Sequence, residues 1–291
     1  MSDSTKIGKK KKHVSISHIF NYIILSLWGL TTIFPFYWII VNSLKDSMAI
    51  YADSFSLPKE FVFENYVKAW TAGADGMNVL LAYKNSLIIS VIVTIAVVIF
   101  AGMASFALTR YKFKGRGIIN GVVIGSLMFP VFSTIIPVYQ LINKVGLMDT
   151  HAAVILPQIA GNLAFAMVVL TGYLHSSPIE LEESAFLEGC NALQVFYKII
   201  MPIAKPAFAT VAIFTFLWSY NDLFTQLFMI SGNVDNWTVN VMLNQIGTVK
   251  SPPAFGIQCA LIVMIVVPVL VVYMFLQKNI IKGLTAGAIK G

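Results

Sequence analysis

The residues that could do chemistry in this 291-residue sequence are few, and most lie outside its apolar stretches. The histidines fall at or beyond the ends of those stretches, and they are His13, His18, His151 and His175. None belongs to an HExxH zinc motif, no serine sits in a GxSxG turn, and no paired-carboxylate motif is present. The sequence therefore predicts no catalytic residue and no enzyme activity.

The motifs for metals and nucleotides are also missing from the sequence. Cys190 falls in a hydrophilic loop and Cys259 in an apolar stretch, without the CxxC or His/Cys spacing of a zinc site, so neither a metal site nor a disulfide framework is predicted. The GxxxxGK[ST] phosphate-binding loop is absent too. The chain is expected to bind no cofactor itself, and any ATP would be used by another subunit.

The elements that position these residues are strongly apolar. Apolar residues make up 57% of the chain, the mean hydropathy is +0.79, and 11% of residues are charged. A soluble domain has about 25% charged residues. A membrane helix needs about 20 apolar residues to cross the hydrocarbon layer. The composition thus predicts an all-α membrane protein in contact with lipid.

The apolar stretches predict six transmembrane helices. They lie near 19–42, 85–109, 117–142, 152–174, 206–230 and 254–277. A basic tail at 1–18 precedes the first span, which is too long for the apolar part of a signal peptide. The segment 45–84 is long enough to fold outside the membrane, a loop occupies 175–205, and a tail occupies 279–291.

Charged residues are almost absent from these spans. Five of the six contain no Asp, Glu, Lys or Arg, and the sixth contains Asp222. If the fifth span is one helix from Pro206, Asp222 lies about 24 Å along it, near the outer end. Ion-coupled transporters usually carry ionisable groups near the midplane of the membrane. The pattern therefore disfavours a secondary transporter.

The basic residues are distributed unequally between the two sides of the membrane. Fourteen Lys and Arg lie on the side of the termini and of the loops at 110–116 and 175–205, and six lie on the other side. By the positive-inside rule, both termini and these two loops are predicted to be cytoplasmic. The net charge of +7 is thus explained by the membrane edges, and no nucleic-acid partner is expected.

The loop at 175–205 has the most informative local pattern. Pro178 is placed to open a helix whose first turns carry Glu180, Glu182 and Glu183, where carboxylates meet the positive end of the helix dipole. Leu181, Ala185 and Phe186 are predicted to form its apolar face. Gly189 permits a turn, and Val195, Phe196, Ile199 and Ile200 begin a second helix that leads to Pro202. Alone, this pattern fits a solvated loop with an acidic cap equally well.

This loop resembles the EAA loop of ABC importer permeases. The match consists of Glu183-Ser184-Ala185, then Glu188-Gly189, then Ile200-Met201-Pro202. Ser184, Glu188 and Met201 depart from the usual alanine, aspartate and leucine. From about Phe34 to Gly291, further motifs are similar to those of the MalG-like branch of carbohydrate permeases. They include NYVKAW, NSLIIS, ALTRYKFKGR, IPVYQLINKVGLMDT, WSYND and GLTAGAIKG.

The resemblance implies a type I ABC importer permease fold, with a type-1 transmembrane domain at 81–278 and a cytoplasmic coupling helix. It implies a permease in a bacterial cytoplasmic membrane that translocates a sugar or oligosaccharide. The implied partners are a second, MalF-like permease, two ATP-binding subunits that use ATP and Mg, an extracellular solute-binding protein, and membrane lipid.

The resemblance also assigns roles to individual residues. Those implied to couple to the ATPase are Glu183, Ser184, Ala185, Glu188, Gly189 and Pro202, and Lys290 and Gly291 are implied to lie near it. Asn221 and Asp222 are candidates for the pore or for contacts between permeases. Asn221, Gln226 and Asn162 are candidates for glycan binding in the pore, but interhelical hydrogen bonding is the favoured interpretation for all three.

Three alternatives remain open from the sequence. The nearest is a permease for a glycerol-phosphate or a polyol, although a phosphate would favour Arg or Lys in the pore and the spans supply none. The others are an ion-coupled secondary transporter and a membrane assembly subunit that transports nothing.

Overall fold

The chain is built from helices that pack around one long central helix. The computed structural model describes residues 16–71, 78–248 and 254–288, and these contain no β-strand. The helices before the midpoint are α1 (Ile16–Ser43), α2 (Ser47–Ala52), α3 (Glu64–Thr71), α4 (Val79–Arg110), α5 (Arg116–Ser126), α6 (Val131–Lys144) and α7 (His151–His175). The later helices are α8 (Glu180–Leu187), α9 (Ala192–Val195), α10 (Met201–Ile203), α11 (Lys205–Asn221), α12 (Leu223–Ile230), α13 (Val239–Thr248) and α14 (Phe255–Ala288).

The central helix is α4, which packs along α7 and α11. Its residues Ile89, Val93, Val97 and Ala101 are fully buried, and their spacing of four places them on one stripe of the helix. Ser105 continues that stripe and donates a hydrogen bond to the carbonyl of Met167 in α7, at 3.2 Å. The middle of the bundle is therefore the interface of α4 with α7 and α11.

Three helices are individually long and apolar enough to cross a membrane. They are Phe20–Ser43, Val79–Arg110 and His151–His175, and they correspond to the predicted spans 19–42, 85–109 and 152–174. The last predicted span, 254–277, is the first part of α14, which runs on to Ala288. The all-α membrane fold is confirmed, but two of the predicted spans are not single helices.

The predicted span 117–142 is divided into α5 and α6. Pro130 caps the start of α6 in an extended conformation, with φ −63° and ψ 131°. The extended backbone at Pro130 separates the end of α5 from the start of α6. A continuous helix was therefore the wrong expectation here. Pro35, Pro137, Pro157 and Pro268 differ from Pro130 because each lies inside a helix.

The predicted span 206–230 is divided at Asp222, between α11 and α12. Asp222 has ψ 90°, and its Oδ1 accepts a hydrogen bond from the Thr225 amide of α12 at 3.1 Å. The break frees carbonyls of α11, and side chains satisfy them. The Ser219 carbonyl accepts from Gln226 Nε2 at 2.8 Å, and the Tyr220 carbonyl accepts from Asn240 Nδ2. Asp222 therefore ends α11, about 24 Å along it from Pro206, and caps α12, so the predicted span does not continue past Asp222 as one helix.

The segment between α1 and α4 is folded, as far as residue 71. It contains α2 and α3, and Asn65 Nδ2 donates to the carbonyls of Ser43 and Lys45 at 2.9 and 2.8 Å. The Lys45 ammonium is buried and donates to the carbonyl of Asp53 at 3.1 Å. Residues 72–77 of the predicted outer loop 45–84 and residues 1–15 of the predicted tail 1–18 lie outside the described residues.

Candidate functional site

The helix predicted after Pro178 is present as α8. It carries Glu180, Glu182 and Glu183 in its first turn, as the sequence indicates. Its buried face differs from the prediction, because Glu182 and Ala185 are buried while Leu181 and Phe186 remain 48% and 42% exposed. The apolar face predicted from Leu181, Ala185 and Phe186 is therefore wrong for two of its three members.

A buried ion pair explains why Glu182 points inward. Arg110, the last residue of α4, donates from Nε to Glu182 Oε1 at 2.7 Å and from Nη2 to the Ser177 carbonyl at 3.3 Å. The two side chains of the pair are only 10% and 4% exposed. Burial raises the pKa of the Glu182 carboxyl above its ordinary value, and the hydrogen bond and charge of Arg110 oppose that rise. This pair fastens α8 to the end of the central helix.

The turn predicted at Gly189 is confirmed and has a defined geometry. Gly189 has φ +87°, a conformation that side chains disfavour. The Cys190 amide donates to the Ala185 carbonyl and the Gly189 amide to the Phe186 carbonyl, which is the Schellman ending of a helix. Asn191 and Gln194 then form a reciprocal capping box that starts α9.

The second helix of the loop is anchored by Phe196. After α9 the chain makes a π-helical turn at Phe196–Ile200, where Phe196 and Ile200 are buried. The Phe196 ring lies 6.0 Å from that of Phe106 in α4 and 6.3 Å from that of Phe208 in α11. Residues Ala192–Ile203 meet α11 at an angle of 84°. The loop is thus packed against both helices and turns sharply into α11.

Gly102 in α4 makes room for this packing. A Cβ atom at this position would lie 2.7 Å from Phe208 Cε1 and 3.0 Å from Phe196 Cζ. Gly102, Arg110 and Glu182 hold the loop in place, and none of them was predicted to do so. The available signal was the position of Arg110 directly after an apolar span, but nothing in the sequence indicates which of the nearby glutamates it binds.

The residues assigned to ATPase coupling occupy different environments. Glu183, Ser184, Glu188, Gly189 and Pro202 are exposed, whereas Ala185 is buried. Ser184 Oγ donates to the Glu180 carbonyl at 2.9 Å, within α8. Large apolar side chains share this exposed surface, and they are Ile179, Leu181, Phe186, Leu187, Leu193 and Tyr197.

The other predicted site residues lie elsewhere or are not described. Lys290 and Gly291 lie outside the described residues. Asn221 is exposed, and its Nδ2 donates to the Leu217 carbonyl of its own helix at 2.8 Å. Asp222 lines a cavity of about 610 Å³ between α6, α7 and the α11–α12 break. Asn221 and Asp222 are therefore neighbours in sequence with different surroundings.

The polar residues of the spans also separate into two roles. Gln226 is fully buried and accepts a hydrogen bond from Thr238 while it donates to Ser219, so it connects structural elements. Asn162 instead donates to the Gln158 carbonyl of its own helix and lines the same cavity as Asp222. Within the described ranges, no group of three or more His, Cys, Asp or Glu residues could hold a metal ion.

Comparison with known proteins identifies the family. The family described as binding-protein-dependent transport system inner membrane component matches residues 97–285. The diacetylchitobiose uptake system permease protein NgcG of Streptomyces coelicolor is 32% identical over 281 residues, covering 96% of this chain and 90% of that protein. The trehalose/maltose transport system permease protein MalG of Thermococcus litoralis is 31% identical over 267 residues, covering 91% and 94%.

A solved structure has the same fold. It is a bacterial ABC transporter involved in the import of the acidic polysaccharide alginate, and one of its chains matches with a TM-score of 0.78 and 23% identity, covering 92% of this chain and 99% of that one. This chain therefore belongs to the binding-protein-dependent transport system inner membrane components, the non-enzymatic permeases of ABC importers, which work in the cytoplasmic membrane with other ABC components and a substrate-binding protein.

Proposed function

We propose that this chain is a permease subunit that translocates a sugar or oligosaccharide delivered by an extracellular binding protein. The names of its relatives support this substrate class, because they include permeases for diacetylchitobiose, trehalose, maltose and galactooligosaccharides. The second support is the lack of Lys and Arg in the six predicted spans, which suits a neutral substrate better than a phosphate.

The proposed complex contains a second, MalF-like permease and two ATP-binding subunits. ATP and Mg belong to those ATP-binding subunits, and this chain binds no cofactor. Both termini and the loop at 175–205 face the cytoplasm in this proposal, as the positive-inside rule indicates. Lys290 and Gly291, at the end of the chain, lie near the ATP-binding subunits.

The observation that carries the proposal is the exposed surface of α8 on a firmly held loop. Glu183 and Glu188 stand among exposed Leu181, Phe186 and Leu187, the last of which is 90% exposed. Apolar side chains that stay exposed on a rigid helix are typical of a protein-docking surface. Glu183 pairs with a basic group of the ATP-binding subunit, while the apolar residues fill its cleft.

The other assigned residues shape this surface from within the loop. Ala185 is too buried to reach a partner, so its role is to let α8 pack closely. Gly189 closes the turn, and Pro202 starts the short helix before the 84° bend. When ATP closes the two ATP-binding subunits, the docked loop moves and the spans change from inward-facing to outward-facing.

Co-purification of the complex from native membranes tests this proposal. We expect Glu183→Lys to reduce the amount of ATP-binding subunit recovered with the chain by about tenfold or more, because reversing one charge of a buried interfacial pair costs several kcal/mol. The second permease should be recovered in unchanged amount. The readout is the quantity of each subunit per permease chain.

Glu60→Lys is the matched control, since Glu60 is also an exposed glutamate but lies in the segment between α1 and α4. It should leave recovery of the ATP-binding subunit unchanged. If the wild-type chain brings down no ATP-binding subunit, the importer proposal fails. If Glu183→Lys behaves like Glu60→Lys, the docking surface has been assigned to the wrong residues.

A further inference from the structure

We propose that the cavity at the α11–α12 break is a binding subsite for one neutral pyranose unit of the transported sugar. The inference rests on the proposed function and adds a location and a mode of recognition within this chain. The cavity, of about 610 Å³, falls in the size range of small-molecule sites. It is bounded by α6, by the middle of α7 and by the end of α11.

One wall of the cavity is aromatic. The rings of Trp218 and Phe165 lie 4.7 Å apart at an interplanar angle of 67°, and Phe214 packs against both, at 5.7 Å from Trp218 and 5.9 Å from Phe165. Trp218 is nevertheless 45% exposed, so the cluster fixes its ring without covering it. A pyranose presents a face of C–H bonds, and these are attracted to the negative face of an aromatic ring.

The part of the lining next to these rings is polar and held in place. Gln158 is buried, and its Nε2 donates to Asp222 Oδ2 at 2.9 Å while its Oε1 accepts from Ser219 Oγ. Asp222 Oδ1 accepts from the Thr225 amide, so both carboxylate oxygens are oriented by the protein. A carboxylate has about four lone-pair positions, and those that remain can accept hydrogen bonds from sugar hydroxyls.

Asn162 completes the polar side of the cavity. Its Nδ2 donates to the Gln158 carbonyl at 2.7 Å, and its Oδ1 has no protein partner among the described residues. One amide hydrogen and the carbonyl oxygen of Asn162 are thus available to a hydroxyl group, which both donates and accepts. An amide and a carboxylate that line the same cavity as an aromatic ring match the two kinds of surface on a pyranose.

The charge of the cavity selects against anions. The lining residues of this chain include Asp222 and no Lys, Arg or His. A phosphate or uronate bound here would face a carboxylate with no positive charge from this chain to offset it. The cavity therefore favours a neutral pyranose over a glycerol-phosphate.

Uptake by the complete importer in proteoliposomes tests the subsite. The probes are radiolabelled trehalose, maltotriose and diacetylchitobiose, each with the binding protein at saturation, and sugar uptake is measured together with ATP hydrolysis. We expect Trp218→Leu and Asn162→Ala each to lower the sugar imported per ATP hydrolysed by about tenfold, as removal of one good contact of 1–2 kcal/mol predicts. Trp218→Tyr, which keeps a ring, should retain most of the uptake.

Trp28→Leu is the matched control, because Trp28 is 73% exposed in α1 and does not line the cavity. Normal sugar import per ATP in both Trp218→Leu and Asn162→Ala would overturn the subsite while leaving the importer proposal intact. Absence of uptake of all three sugars by the wild-type complex would instead overturn the proposed substrate class. If Trp218→Leu fails to assemble, Asn162→Ala and Trp218→Tyr decide the result.

Discussion

At the scale of single residues, the Arg110–Glu182 pair joins α8 to the end of α4, and the EAA motif does not include either residue. The motif contains Glu183, which is exposed, whereas its neighbour Glu182 is buried against the end of α4. A buried pair adds little net stability over an apolar contact, but loss of one partner leaves an uncompensated charge. Its main effect is therefore to fix where α8 can lie.

Arg110→Ala should destabilise the folded protein by about 3–5 kcal/mol, because it leaves the Glu182 carboxylate buried without its partner. The measurement is the free energy of unfolding in mixed detergent micelles by titration with SDS. Lys68→Ala is the control, since the Lys68–Glu64 pair is 52% and 67% exposed and its loss should cost at most about 1 kcal/mol. Equal losses in the two variants would contradict the assignment of Arg110–Glu182 as the stronger constraint.

The same variant has an expected pH dependence. Burial already raises the pKa of Glu182, and removal of Arg110 raises that pKa further because the opposing contribution is gone. The folded state then binds the proton more tightly than the unfolded state. The loss of stability in Arg110→Ala should therefore be full above the folded-state pKa and should shrink as the pH falls through it. A loss independent of pH would show that Glu182 is not the affected group.

At the scale of elements, hydropathy predicted where apolar segments lie but not where helices stop. The predicted spans 19–42, 85–109 and 152–174 each coincide with one helix, because each is one apolar run without a break. The segments 117–142 and 206–230 are equally apolar, and their breaks depend on local backbone chemistry at Pro130 and Asp222. Asp222 is an effective helix cap in any context, so its position was a signal for a break that average hydropathy conceals.

The loop at 175–205 was predicted better in outline than in orientation. Its two helices and the turn at Gly189 follow from short-range rules for prolines, caps and glycine. Which face of α8 is buried depends on Arg110, 72 residues from Glu182 in the chain, and short-range rules contain no such information. The cavity likewise requires α7 and α11 to be adjacent, which no local pattern specifies.

Gly102→Ala should destabilise the contact between α4 and the loop. The added Cβ would lie 2.7 Å from Phe208 and 3.0 Å from Phe196, so these rings must shift from their packed positions. Overpacking of this kind costs about 1–3 kcal/mol. The measurement is again unfolding by SDS. Gly172→Ala in α7 is the control, because nothing lies within 4 Å of its added Cβ, and it should be as stable as the wild type or more stable by up to about 1 kcal/mol.

At the scale of the whole molecule, the exposed surface has an apolar part, on α1, and a charged part, at 110–116 and on α8. Between Phe20 and Ile40, α1 is largely exposed and apolar, and α1 contacts α14, which is expected for a helix in lipid or against another permease. The basic stretch at 110–116 and α8 follow the ends of α4 and α7, respectively. Arg110 and Glu182 are in contact, so these segments lie at the same end of the bundle, which the positive-inside rule predicts to be the cytoplasmic one.

Cysteine labelling tests that orientation directly. In a Cys190→Ser background, Lys114→Cys should react with a membrane-impermeant maleimide in inside-out vesicles and not in intact cells. Phe55→Cys, 72% exposed in the segment before α3, should react in intact cells. The native Cys259 is buried and should stay unlabelled in both preparations. Labelling of the two introduced cysteines from the same side would contradict the predicted topology.

The double attachment of the loop has a mechanical consequence. Arg110 and Glu182 join α8 to α4, and Phe196 joins the second helix of the loop to α4 and α11 at a separate point. A body fixed at two separate points resists torque as well as bending. A load applied to α8 is therefore expected to act on both α4 and α11. Since α11 ends at the cavity, the stiffness of this loop sets how much of the applied motion reaches Trp218 and Asp222.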